Sequence, residues 1–160
     1  MPQEIERKFL VLHDGWRVHA DGGTPMSQGY LGSDPSCSIR VRIEGDVAKL
    51  NVKSATLGIE RTEFEYAIPV GDARQMLARF CGGRTVDKVR YEVPCGAHVF
   101  EIDVFSGANA GLVVAELELA RADEDFARPD WLGAEVSHDP RYYNVCLIEH
   151  PYREWPEARR

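Results

Sequence analysis

The chain has 160 residues, of which 44% are hydrophobic and 28% charged, as is typical of one globular domain. Its formal net charge of −7 argues against a nucleic-acid or anionic membrane surface, because both need a positive face. The four cysteines form no C-x-x-C pair and no zinc-type spacing with histidine, and no signal peptide or apolar membrane span is present. We therefore expect a cytoplasmic protein with free thiols.

The first half of the chain alternates between polar and apolar residues, as half-buried β-strands do. Strands are predicted over 3–12, 26–31, 38–44, 47–53 and 60–68. Trp16 anchors a short helical piece between the first two strands, and Gly45-Asp46 closes a hairpin between the third and fourth. This half therefore predicts an antiparallel sheet.

The second half mixes helices with the same alternation. Helical spacing predicts a helix over 71–80 with Asp72 as its N-cap, and a second helix begins at Asp139-Pro140 and ends at Glu149. Strands are predicted over 85–93, 98–105 and 112–120, and one helical turn over 129–133. The domain spans 1–150, and 151–160 form a C-terminal tail that we expect to fray.

Four stretches place two like charges two residues apart within a predicted strand. They are Glu4/Glu6, Arg40/Arg42, Glu63/Glu65 and Glu116/Glu118. Residues i and i+2 of a strand point to one side, so each pair aims two repelling charges at the same surface. Two neighbouring carboxylates can bind a divalent metal ion, and two neighbouring cationic side chains can bind a polyanion.

The alternation allows two interpretations of the charged face. In an open sheet it is simply the solvent-exposed side. In a closed barrel of about eight strands it points inward, and the apolar face points outward beneath the helices at 71–81 and 140–149. Charges in a narrow interior are costly unless paired or liganded, and a triphosphate with a divalent metal satisfies both signs.

Motifs along nearly the whole chain support the closed form. Glu4-Ile5-Glu6-Arg7-Lys8 resembles the ExExK signature of the CYTH superfamily, the triphosphate tunnel metalloenzymes. Further strings that resemble its short bacterial members follow in order: Gln28-Gly29-Tyr30-Leu31, Ile39-Arg40-Val41-Arg42, Val52-Lys53-Ser54, Thr62-Glu63-Phe64-Glu65-Tyr66, Lys88-Val89-Arg90-Tyr91, Glu101-Ile102-Asp103, Ala115-Glu116-Leu117-Glu118-Leu119 and Asp139-Pro140-Arg141-Tyr142-Tyr143-Asn144.

The resemblance implies an α+β fold, a closed antiparallel eight-stranded β-barrel with a few helices packed outside. It implies that this tunnel binds triphosphates with Mg²⁺ or Mn²⁺, and it implies roles by position. The residues that hold phosphate are Lys8, Arg40, Arg42, Lys53, Lys88 and Arg90. Those that hold metal are Glu4, Glu6, Asp103, Glu116 and Glu118. Those assigned to catalysis are Lys8, Tyr30, Glu63, Glu65 and Lys88, with Glu63 and Glu65 near the metal or attacking water and Tyr30 beside Lys8.

The implied activity is metal-dependent hydrolysis of inorganic triphosphate to pyrophosphate and phosphate. A class IV-type adenylate cyclase or a thiamine triphosphatase is the enzymatic alternative, and a non-catalytic polyphosphate- or nucleotide-binding module is the alternative of another class. The expected partner is a small triphosphate, with no nucleic acid or membrane. A homodimer stays open, because small barrels with an apolar outer face often dimerise. The preferred triphosphate and the choice between Mg²⁺ and Mn²⁺ also stay open.

Overall fold

The computed structural model describes residues 3–32, 34–55 and 58–159. The strands are β1 (Gln3–Val11), β2 (Thr24–Tyr30), β3 (Cys37–Glu44), β4 (Val47–Ser54), β5 (Glu60–Ile68), β6 (Val86–Cys95), β7 (His98–Phe105), β8 (Val113–Glu118) and β9 (Leu132–Glu135). The α-helices are α1 (Val70–Phe80) and α2 (Asn144–Glu149). Short 3-10 turns cover Asp14–His19, Gly107–Asn109, Pro140–Tyr142, Tyr152–Glu154 and Pro156–Arg159.

The first eight strands form one closed antiparallel barrel, which confirms the predicted fold class. Around the barrel the order is β5-β4-β3-β2-β6-β7-β8-β1, and β1 pairs back onto β5. That closing seam is short: Gln3 lies opposite Thr62, Glu4 opposite Arg61, and Ile5 opposite Glu60. Because the side-chain period of a strand is two, this closure decides which residues face the interior.

The helical turn predicted over 129–133 is present at its start, where the Leu132 amide donates to the Pro129 carbonyl, but a ninth strand that was not predicted begins at Leu132. β9 pairs with the second half of β1, where Phe9 lies opposite Glu135 and Val11 opposite Leu132. Trp131 is buried, and its carbonyl accepts a hydrogen bond from the Leu12 amide. Gly133 permits the close approach, because a Cβ there would lie 2.9 Å from the Leu10 carbonyl oxygen.

The helices lie near their predicted positions but begin differently. α1 matches the predicted helix, but Pro69 is its N-cap and Asp72 lies within the first turn, so the predicted cap is wrong. The predicted helix at 140–149 is divided in two. Asp139 does cap the 3-10 turn, by accepting a hydrogen bond from the Arg141 amide, and Tyr143 is then extended before α2 begins.

The apolar outer face of the barrel packs beneath three groups of covering residues. Val41 and Ala48 pack under Ala73, Leu77 and Cys81. A second cluster on the opposite wall is Phe9, Trp16, Val93, Phe100, Ile102, Ala115, Leu117, Leu119 and Trp131. The third joins Val86, Phe105, Leu112 and Val114 to Leu147 and Trp155. All three tryptophans pack on the exterior of the barrel.

The segment after His150 packs on the barrel instead of fraying. Trp155 is buried, its ring stands edge-on to Tyr142 and Tyr152, and its indole N–H donates to the His150 carbonyl. The four cysteines, all within the described residues, are free thiols. In the described part of the chain, no helix has the length and apolar character needed to cross a lipid bilayer.

Phe100 tests the outer core. It is completely buried and stands edge-on to Trp131, with ring centroids 5.2 Å apart. We expect Phe100→Ala to lower the free energy of unfolding by roughly 3–5 kcal/mol, because it removes a large side chain from a packed site. Phe80→Ala is the matched control, since Phe80 is 67% exposed on α1. Urea unfolding followed by circular dichroism measures both, and equal losses would contradict this packing.

Candidate active site: the charged interior of the barrel

A cavity of about 780 Å³ lies inside the barrel and collects the charged face of the sheet. Of the predicted site residues, those that line it are Glu4, Glu6, Lys8, Tyr30, Arg40, Arg42, Lys53, Glu63, Glu65, Arg90, Glu116 and Glu118. Lys88 and Asp103 are absent from the described lining and lie fully buried behind it. The pleat thus brings together side chains that are more than 100 residues apart in sequence.

Lys8 joins the acidic residues of β1 and β8. Its Nζ lies 3.1 Å from Glu6 Oε1 and 2.5 Å from Glu116 Oε1. Burial opposes the charge on Lys8, but the carboxylates of Glu116 and Glu6 outweigh it and raise the pKa of Lys8 above its ordinary value. The ammonium therefore stays charged inside the barrel.

Arg90 is bonded to carboxylates from β7 and β8. Its Nε and one terminal nitrogen donate to both oxygens of Asp103 at 2.7 and 2.8 Å. Its other contacts are Glu116 Oε2 and Glu101 Oε2, each at 2.6 Å. Burial resists ionisation of Glu116, but Lys8 and Arg90 outweigh it and hold the pKa of Glu116 well below its usual range.

The Lys88–Asp103 pair supports Arg90 from behind the wall. Both side chains are 0% exposed, and Lys88 Nζ lies 2.5 Å from Asp103 Oδ2. Lys88 also donates to Asn144 Oδ1 at 3.3 Å, which ties the pair to the start of α2. Burial, with the nearby charges of Arg90 and Arg42, lowers the pKa of Lys88 to about 8 against the attraction of Asp103.

Glu4 and Glu101 are carboxyl groups with raised pKa values. Burial, together with the charges of Glu6 and Glu63, raises the pKa of Glu4 to about 7, even though Lys53 Nζ lies 2.5 Å from its carboxylate. Burial likewise raises the pKa of Glu101 to about 7, aided by Glu116 and opposed by Arg90. Crowded, half-neutralised carboxylates are a frequent property of functional sites.

The two arginines of β3 differ in their partners. Arg42 donates to Gln28 Oε1 at 3.0 Å and to Glu44 Oε1 at 2.9 Å. Arg40 also lines the cavity, yet its buried Nε has no hydrogen-bond partner in the described residues. Burial and the neighbouring Arg42 lower the pKa of Arg40. A buried guanidinium nitrogen without an acceptor points to an anionic ligand.

Polar residues that the sequence reading left without a role complete the cavity. The Asn51 amide donates to Glu63 and Glu65, and the Gln28 amide donates to the Tyr30 hydroxyl at 3.2 Å. No hydrogen bond joins Tyr30 to Lys8 within the described chain. Other lining residues without a predicted role include Glu44, Lys49, Arg61 and Glu101. A signal existed for Glu101, because it lies two residues before Asp103 on the same strand face.

The donors fit a hard divalent cation. In the described part of the chain, no three histidine, cysteine, aspartate or glutamate side chains already converge on one point. The cavity nevertheless offers carboxylate oxygens, the ligands preferred by Mg²⁺ and Mn²⁺, and burial keeps Glu4 near half-ionisation at neutral pH. The cavity-lining residues able to hold a metal are Glu4, Glu6, Glu116 and Glu118, whereas Asp103 is absent from the described lining and fully buried behind it.

The fold and the cavity together define a class of protein. It is a closed antiparallel barrel whose candidate site lies inside, between rows of acidic and basic side chains. The CYTH domain family model matches residues 2–143, and the chain belongs to this family. The inorganic triphosphatase of Acetivibrio thermocellus is 42% identical over 157 residues, 98% of this chain and 100% of that protein.

Two further comparisons agree with this assignment. The inorganic triphosphatase of Nitrosomonas europaea is 40% identical over 151 residues, 90% of this chain and 95% of that protein. The crystal structure of the inorganic triphosphatase NE1496 matches with a TM-score of 0.65 and 36% identity, and the match covers 92% of this chain and 95% of that one.

The raised pKa of Glu4 has a measurable consequence for stability. The folded state holds a proton on Glu4 up to about pH 7, whereas an unfolded glutamate releases it near 4.5. Because the folded state binds more protons between those values, the free energy of unfolding falls as pH rises through this range. With a chelator present, we expect the wild type to lose stability relative to Glu4→Gln from about pH 5 to about pH 7. Urea unfolding at each pH measures the difference.

The control for this experiment is Glu154→Gln, which alters an exposed glutamate near the C-terminus. Its stability should follow that of the wild type across the same pH range. Parallel curves for the wild type and Glu4→Gln would contradict the environment described for Glu4.

Proposed function

We propose that this protein hydrolyses inorganic triphosphate to pyrophosphate and phosphate inside the barrel, with Mg²⁺ or Mn²⁺. The observation that carries the proposal is the buried Nε of the half-buried Arg40, which faces the cavity without a hydrogen-bond partner among the described residues while carboxylates crowd the same space. A polyanion satisfies the arginine, and a divalent cation satisfies the carboxylates. The triphosphatase names of the relatives at 40–42% identity support this reading.

The phosphoryl groups bind to the cations that line the cavity, namely Lys8, Arg40, Arg42, Lys53 and Arg90. Arginine offers two parallel N–H donors to phosphate, and lysine supplies a point charge. Because these side chains lie on rigid strands, they orient the triphosphate and stabilise the charge that develops on the leaving pyrophosphate. We assign Lys88 and Asp103 a positioning role beneath Arg90, since their side chains are fully buried.

Glu4, Glu6, Glu116 and Glu118 would hold the metal. The chemistry supplied by such an ion, when bound, would be neutralisation of phosphoryl charge and a lower pKa for the attacking water. Glu63 and Glu65 orient that water: burial opposes ionisation of Glu63, but Lys53 and the Asn51 amide outweigh it and hold the pKa of Glu63 below its usual value. Glu63 therefore accepts hydrogen bonds at neutral pH.

Tyr30 lies on the cavity wall, and on the neighbouring strands β2 and β3 it is directly opposite Arg40. It therefore contacts the substrate beside Arg40.

The remaining features of the proposal follow from charge and size. The net charge of −7 disfavours nucleic acid and leaves a small triphosphate as the substrate, and the four free thiols favour a cytoplasmic location. The catalytic domain spans 1–150, and the tail that follows packs on it through Trp155. A homodimer is the oligomer to look for in solution.

A substrate panel tests the proposal directly. Phosphate release from tripolyphosphate, ATP and thiamine triphosphate is measured with Mg²⁺, with Mn²⁺ and with chelator. We expect turnover of tripolyphosphate that requires metal. Cyclic AMP from ATP would instead establish a cyclase, preferred turnover of thiamine triphosphate a thiamine triphosphatase, and tight binding without turnover a non-catalytic binding module.

Glu118→Gln tests the metal assignment without disturbing the core. Glu118 is exposed to the cavity, whereas Glu116 bridges Lys8 and Arg90. We expect metal-dependent turnover to fall by about a hundredfold or more, because an amide is a weak ligand for a hard cation. Glu154→Gln, outside the cavity, should keep wild-type turnover. A Glu118→Gln enzyme with unchanged rate and metal requirement would refute the assignment.

Arg40→Gln tests phosphate binding. Loss of one charge-assisted contact should raise KM for tripolyphosphate by about tenfold, with a smaller change in kcat, because Arg40 acts mainly by electrostatic attraction. Steady-state kinetics at two salt concentrations measure the effect. Arg79→Gln, on the exposed side of α1, is the control. The same KM in Arg40→Gln and wild type would count against phosphate binding by Arg40.

A further inference from the structure

Arg61 is a cation on the cavity wall for which the proposed mechanism has no role. It lies on β5, two residues before Glu63, so both side chains belong to the inward face of the strand. Arg61 lines the cavity together with Tyr143 and is half-buried. It is therefore placed to meet a ligand that occupies the interior.

The strand register makes Arg61 the third member of a row of cations. Arg40 on β3 lies opposite Asn51, and Lys53 is two residues further along β4. Lys53 lies opposite Glu63, and Arg61 is two residues further in the same direction along β5. Diagonal neighbours of this kind are about 7–8 Å apart, within reach of long side chains. Arg40, Lys53 and Arg61 thus step diagonally across three adjacent strands.

The Arg61 guanidinium is held by an aromatic ring. Its Cζ lies 4.4 Å from the centroid of Tyr143, and in the described residues it forms no ion pair with a carboxylate. A guanidinium on a ring face keeps its in-plane N–H donors available. Lys53 differs, because its Nζ lies 2.5 Å from the Glu4 carboxylate.

The Tyr143 ring is itself fixed in place. The side chain is buried, its hydroxyl donates to the Ser137 carbonyl at 2.8 Å, and it accepts from the Gly58 amide at 3.4 Å. Tyr143 is the extended residue between the Pro140–Tyr142 turn and α2, so its position depends on the break between those two elements. The segment that interrupts the predicted helix thereby supplies a platform for a cavity cation.

We propose that Arg61 is a further substrate-binding residue and that Tyr143 positions its guanidinium. Arg61 contacts the terminal phosphoryl group of the substrate, at the end of the triphosphate that lies farther from Arg40. The assignment rests on the proposed triphosphatase function, since it takes a linear phosphate chain as the ligand. The diagonal row then binds tripolyphosphate along its length. A shorter chain that occupies the Arg40 end leaves Arg61 without a contact, so Arg61 contributes to the preference for three phosphates.

The experiment measures binding of inorganic tripolyphosphate and pyrophosphate by calorimetry, with chelator present so that no turnover occurs. Arg61→Met keeps the apolar stem on the Tyr143 ring and removes the charge, and Arg61→Lys keeps the charge. We expect Arg61→Met to weaken tripolyphosphate binding by about tenfold and pyrophosphate binding much less, with Arg61→Lys between it and the wild type. The loss should shrink at high salt. Arg74→Ala, an exposed arginine on α1, is the matched control.

Two variants of the platform complete the test. Tyr143→Phe keeps the ring beneath Arg61 and should bind tripolyphosphate like the wild type. Tyr143→Leu removes the ring and should weaken binding in wild-type protein but not in the Arg61→Met background. Thermal unfolding of each variant separates loss of contact from loss of fold, and Arg61→Lys decides the matter if Arg61→Met is unstable.

The possible outcomes separate this assignment from the proposed function. Wild-type affinity for tripolyphosphate in Arg61→Met would overturn the role of Arg61 and leave the triphosphatase proposal standing. Equal losses for pyrophosphate and tripolyphosphate would overturn its placement at the far end. Tripolyphosphate that binds in an Arg61-dependent way but is never hydrolysed with Mg²⁺ or Mn²⁺ would refute the triphosphatase and support the binding residue.

Discussion

The structure depends on ion pairs that are closed off from water within one continuous sheet. Arg90 illustrates the constraint, because it is bonded to Glu101, Asp103 and Glu116 while Lys88 neutralises Asp103 from behind. Isolated charges at this depth would be very unfavourable, and a pair that loses one member leaves its partner uncompensated. Lys8, Lys88 and Arg90 therefore also keep Asp103 and Glu116 ionised, so the electrostatics of this part of the cavity and the integrity of the barrel are linked.

Register matters as much as charge. A slip of one residue between β3 and β4 would turn Arg40, Arg42 and their neighbours outward, since the side-chain period of a strand is two. The outer cluster beneath α1 opposes such a slip, because it would move the Val41 side chain from its packing with Ala73 and Leu77 into the charged cavity. Apolar packing outside the barrel thus holds the charged rows in alignment inside it, which is how a fold stabilised on its exterior can have its site at its centre.

The sequence predicted which face of each strand is charged, and the closed barrel follows from that alternation combined with the resemblance. The sequence did not predict how deeply each charged side chain is buried behind the cavity wall. Lys88 and Arg90 share one strand face, yet only Arg90 lines the cavity, because depth depends on how neighbouring strands are staggered. β9 was also missed: its four residues show little periodicity, and Trp131 and Gly133 act through tertiary contacts with β1. The sequence likewise did not predict which side chains contact each other across the fold, such as the Arg61 guanidinium and the Tyr143 ring.

The short seam between β1 and β5 has a consequence for solubility. Within the described residues, β5 pairs with β1 only from Glu60 to Thr62, and the side chains of Phe64 and Tyr66 farther along β5 are exposed. An open apolar edge is a template on which another chain can add a strand. Glu63 and Glu65 interrupt this edge with inward charges that a docking strand would have to bury. The carboxylates at the cavity therefore also protect the barrel against aggregation.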